Sequence, residues 1–136
     1  MLAPNIDTIR LFLHVLSASV WVGGQVVLAG IVPSLRRTHP DATKVVARAF
    51  ARVAWPAFAI AILTGFWNLT EINVSDTTTE YQITLFLKIA LAITSGAAAA
   101  VHQIGRSKAA LAIGGALGLL AALAAMFLGY LLTTGG

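Results

Sequence analysis

A chain of 136 residues that is 58% hydrophobic and only 10% charged cannot be an ordinary soluble globular domain, and its composition is that of an integral membrane protein. Its net charge of +4 does not point to nucleic acid, because the basic residues gather in particular loops, as they do in a protein oriented in a bilayer. The absence of cysteine removes disulfides, thiolate metal sites, iron–sulfur clusters and the covalent attachment of c-type haem. Any metal or haem must then be held by nitrogen, oxygen or the sulfurs of Met1 and Met126.

About 20 apolar residues in a helix cross the hydrocarbon core, and four segments meet that length. The first, 9–32, is too long for the apolar region of a cleaved signal and is expected to stay in the mature protein. It carries His14 near its start and Trp21, Gly23 and Gly24 about two turns further on. The stretch 38–52 has helical composition behind Pro40 and Asp41 and is expected to extend the second helix into the cytoplasm. Lys44, Arg48 and Arg52 stand on it at one-turn spacing, as a positive anchor at the headgroups. The second span covers about 50–70, with Pro56 predicting a kink beside Trp55. A polar loop at 71–82 leads to the third span, about 82–104, and a short turn with Arg106 and Lys108 leads to the fourth, about 109–132. Gly114 and Gly118 form a small-xxx-small pair on the fourth span. This pair and the alanines after it are expected to pack closely, within the bundle or against another protomer. The expected fold is all-α, a single four-helix membrane bundle over residues 1–136.

Seven basic residues, Arg36, Arg37, Lys44, Arg48, Arg52, Arg106 and Lys108, flank the two connections that should face the cytoplasm. Asp7, Glu71, Asp76 and Glu80 flank the other side, where Arg10 is the only basic loop or terminal residue. Both termini are therefore expected on the external side.

An ionisable side chain inside a membrane span is costly and is usually kept for an ion, a proton or a cofactor. His14 lies roughly 7 Å below the external boundary, and Lys88, about six residues into the third span from the same side, should lie at nearly the same depth. Lys88, Ser95 and His102 recur every seven residues, which puts them on one face of the third helix, and a polar stripe of this kind should look inward. His102 is roughly 21 Å further along, near the cytoplasmic surface. For His14 the readings are a hydrogen-bonded core imidazole, ligation of haem iron or copper, or proton transfer. Lys88 either snorkels to the headgroups or faces inward, where no acidic residue of any span can pair with it and a haem propionate or substrate anion would. Small residues beside Trp21 would let a flat ring or another helix approach. Trp55, Trp67 and Tyr130 are expected as interfacial anchors and His39 as a solvated loop residue.

The pattern His14-x6-Trp21-x-Gly23-Gly24 with Pro33-x-Leu35, then Leu63-Thr64-Gly65 and Lys88, resembles the copper-resistance protein D (CopD-like) membrane domains. More distantly it resembles the HemJ type of protoporphyrinogen oxidase. The HemJ resemblance implies a functional pair associated with haem b, which maps onto His14 and Lys88. It departs from HemJ after Gly24, where the segment lacks an aromatic-rich exit. The CopD resemblance implies copper handling, for which His14 and His102 would be stations at opposite leaflets. The leading expectation is a haem b protein of electron transfer or porphyrin redox chemistry, with His14 as axial ligand. Lys88 would be second ligand or propionate partner, and Trp21, Gly23 and Gly24 the pocket wall. The alternatives are a copper-handling protein and a non-catalytic subunit, or homo-oligomer, docking through the Gly/Ala face of the fourth helix. In each case the expected place is the cell membrane, multi-pass, in a prokaryotic plasma membrane.

Overall fold

The computed structural model describes residues 1–135, and among them every regular element is helical. Helices α1 (Ile6–Thr38), α2 (Pro40–Thr70), α3 (Thr79–Ile104) and α4 (Lys108–Thr134) are each long and apolar enough to cross a membrane, and one 3-10 turn, Val74–Asp76, lies between α2 and α3. The all-α expectation with four apolar spans is met, and the architecture fits a multi-pass protein in a lipid bilayer.

Each helix end follows from local chemistry. Asn5 caps α1 reciprocally: its side chain accepts from the Thr8 amide at 2.9 Å while the Thr8 hydroxyl accepts from the Asn5 amide at 3.3 Å. The single residue His39 separates α1 from α2, and Pro40 opens α2 at its first turn, where a missing N–H costs nothing. Thr78 and Ser107 cap α3 and α4, accepting from the amides of Tyr81 (3.2 Å) and Ala110 (3.0 Å). The helices are longer than the apolar runs alone, because nothing breaks the backbone where the sequence turns polar. The expected helical extension at 38–52 is part of α2, and α2 runs through Pro56.

The chain divides into two compact units, Met1–Asn73 and Val74–Gly136, each an antiparallel helical hairpin. In the first, Trp21 of α1 packs against Trp55 and Phe58 of α2, with ring centroids 5.2 and 4.5 Å away, and Trp55 meets Phe58 edge-on at 5.8 Å. Trp55, expected as a headgroup anchor, instead shares this aromatic cluster, since α2 begins fifteen residues before it. Gly24 makes room for the Phe50 ring, into which a Cβ would run, whereas no atom lies within 4 Å of where a Gly23 Cβ would be.

In the second hairpin, the stripe Lys88, Ser95, His102 faces α4, as its spacing predicted. Ser95, 1% exposed, donates to the Gly118 carbonyl at 2.8 Å. His102 bonds through Nδ1 to the Leu111 carbonyl at 2.6 Å, and Lys88 lies over Gly129, whose Cβ would stand 3.5 Å from both Cε and Nζ. Gly114 is buried against the backbone of α3, with a Cβ position 2.9 Å from the Ala98 carbonyl oxygen and the His102 amide. The small-residue pair is thus used inside the hairpin, bringing α3 and α4 close enough for the Ser95 bond.

Candidate functional site

His14 sits half-buried on the face of α1 that meets α2. Its Nδ1 lies 3.1 Å from the Ala61 carbonyl oxygen and 2.9 Å from Thr64 Oγ1. A carbonyl can only accept, so Nδ1 carries the proton. Thr64 is consistent with this, since its hydroxyl donates to the Ile60 carbonyl at 2.6 Å and thereby offers Oγ1 as an acceptor to the imidazole. In the neutral ring Nε2 is then the nitrogen with the lone pair, the form suited to ligate a metal or accept a proton. Gly65 borders the ring, its Cβ position being 3.5 Å from His14 Cε1. On α1 itself, Ser17 donates to the His14 carbonyl at 3.1 Å.

One turn towards the N-terminus of α1, Arg10 is 8% exposed and contacts two carboxylates: Asp7 at 3.1 Å on its own helix and Glu71 at 3.5 Å at the end of α2. The expectation of a terminal loop cation is corrected here. Arg10 is a buried crosslink between α1 and the end of α2. The signal for it was present in the Asp7–Arg10 spacing of one turn and in Arg10 preceding His14 by four residues on the same face.

Of the other residues singled out, Trp21 is buried in its aromatic cluster two turns from His14, Gly24 lies under Phe50, and Gly23 is exposed. Lys88 is half-buried along α4 and makes no ion pair among the described residues, where the ion pairs all involve Arg10. His102 closes the α3–α4 turn through its bond to Leu111 and packs on Gly114 and Gly115. His14 and Lys88 each meet a partner helix within their own hairpin. Among the described residues, no three His, Cys, Asp or Glu side chains gather into a group able to hold a metal ion. Thr64 is the functional-site residue that composition did not single out, because its bond to His14 depends on how α1 and α2 are registered.

Compared with protein families, characterised proteins and solved structures, the chain matches none.

Proposed function

We propose that this protein holds a b-type haem through His14 Nε2 in the external half of its first hairpin. The observation that carries the reading is the double acceptor at Nδ1. Metal-bound histidines characteristically give their other ring N–H to a carbonyl or similar acceptor, which fixes the tautomer, orients the ring and raises the basicity of the ligating nitrogen. His14 has this arrangement with Ala61 and Thr64. The residues supplying it, Thr64 with Gly65 beside the ring, are those of the Leu63-Thr64-Gly65 segment that resembles the CopD-like and HemJ-type proteins.

The donor set suits a haem better than a bare metal ion: one neutral imidazole is sufficient on the protein side of a haem, while an isolated ion wants several ligands. The side chain that would hold the group is His14, as axial ligand. The Trp21 cluster would wall off the cytoplasmic side, whereas Gly23, nine residues on from His14, stands on the opposite, exposed face of α1 and would not border such a group. Bound haem supplies one-electron chemistry at a potential set by its axial ligand and apolar surround, which serves electron transfer or porphyrin oxidation.

The test is the absorption spectrum of protein purified in detergent after expression with added haem. A Soret band is expected, abolished by His14→Ala and retained by His39→Ala, whose ring stands in the α1–α2 connection. No band in the wild type, or equal loss in both variants, overturns the reading. Copper bound by haem-free protein and lost on His102→Ala would favour copper handling instead, and a sharp complex far larger than one 14.2 kDa chain would favour a subunit role.

A further inference from the structure

Antiparallel helices bonded at one level face each other again one turn away. His14 of α1 bonds to Thr64 of α2, so Arg10, four residues before His14, comes level with Asn68, four residues after Thr64. The contact of Arg10 with Glu71, three residues beyond Asn68, follows the same register. Both side chains bury polar atoms at that level. Arg10 Nε and Nη1 and Asn68 Oδ1 are shielded from solvent and have no hydrogen-bond partner among the described residues.

The two carboxylates beside Arg10 do not meet this need. Asp7 takes Nη2 at 3.1 Å, but Glu71 stands 3.5 Å from Nη1, longer than the roughly 2.7–2.9 Å of a charge-assisted hydrogen bond. Their side chains are 57% and 47% exposed, so water screens their charge, whereas the Arg10 side chain is 10% exposed. Unbonded N–H groups on a buried cation are costly. Arg10 lies in the second turn of α1, where an arginine stem is long enough to carry its head into water, yet the side chain is folded in against α2. Asn68 adds a group that adapts: a half-turn of its amide exchanges oxygen for nitrogen at the buried position and makes it a second donor beside the guanidinium. A carboxylate accepts from both.

We propose that Arg10 and Asn68 bind a propionate of the haem held by His14. The assignment rests on the haem reading and names the groups that orient the ring. A b-type haem is amphipathic, with its iron at the centre of an apolar disc and both carboxylates on one edge, and that edge turns to the nearest polar boundary. Arg10 and Asn68 lie one turn, about 6 Å, from the His14–Thr64 level, on the side where Asp7 and Glu71 mark the polar end of the hairpin. The axial ligand and the propionate partners all belong to α1 and α2, so a single register sets both. A porphyrin whose carboxylates are blocked forfeits the second contact and keeps the first.

Titration of the haem-free protein in detergent with haem and with haem dimethyl ester, followed at the Soret band, reads this directly. Haem is expected to bind about 10- to 100-fold more tightly than the ester, the range for hydrogen bonds to a charged group. Arg10→Gln should remove that preference while leaving the position of the Soret band unchanged, because His14 still ligates. Asn68→Leu, which leaves both ion pairs of Arg10 in place, should reduce the preference in the same direction, and Arg36→Gln, at the far end of α1, should keep it. Equal affinity for the two porphyrins in the unaltered chain means that water alone satisfies these atoms, and it overturns the proposal while the haem reading stands. A preference unchanged in both Arg10→Gln and Asn68→Leu overturns it as well. No Soret band with either porphyrin overturns the haem reading and this proposal with it.

Discussion

At the scale of single residues, the decisive feature is that Thr64 gives its own proton to Ile60 and so can only accept from His14. Replacing Thr64 by Val removes one of the two acceptors at Nδ1 and leaves Ala61 to hold the ring alone. Loss of such an outer partner typically costs 10- to 100-fold in metal affinity. Thr64→Val is therefore expected to lower haem affinity by about that factor and to shift the midpoint potential, while Thr64→Ser, which keeps the oxygen, restores both. A haem titration with redox potentiometry checks this. Unchanged affinity and potential in Thr64→Val would show that the imidazole is oriented by Ala61 alone. His14 was visible in the sequence because a histidine in an apolar run is conspicuous. Thr64 stood out only within the Leu63-Thr64-Gly65 resemblance, and its role as acceptor was not legible because it depends on a partner fifty residues away.

Among the elements, the two hairpins are held by different means. Aromatic rings fill the contact between α1 and α2, whereas α3 and α4 come together through residues with almost no side chain. Gly114 meets backbone rather than a movable side chain, so Gly114→Ala must push α3 and α4 apart and strain the Ser95–Gly118 bond. Inserting a methyl group into such a contact costs about 1–3 kcal/mol. Unfolding in mixed detergent with SDS should show a loss of that size for Gly114→Ala and none for Gly23→Ala, whose Cβ would meet open space. The close approach was legible as a spacing of four between two glycines. The helix it serves was not, because a small-xxx-small pair states how near a neighbour comes and not which neighbour it is. The same limit explains Trp55: hydropathy located the polar-to-apolar transition on α2, but only the register against Trp21 showed that its ring turns towards α1.

For the whole molecule, four crossings would place residues 1 and 134 on one side, and the loop charges predict the external one. The bias is strong: seven of the nine lysines and arginines flank the α1–α2 and α3–α4 connections, the exceptions being Arg10 and Lys88. Because the natural chain has no cysteine, single substitutions can be labelled without background. Ala3→Cys and Thr134→Cys should react with a membrane-impermeant maleimide on intact cells, and His39→Cys and Ala109→Cys only after permeabilisation; all four positions are exposed. The outcome bears on more than topology, since the depth of His14 runs from the external boundary. The reverse pattern would move His14 into the cytoplasmic leaflet and turn the Lys44–Arg52 ladder towards the outer one. These basic residues would then face the leaflet without the anionic surface potential that draws lysine and arginine to the headgroups.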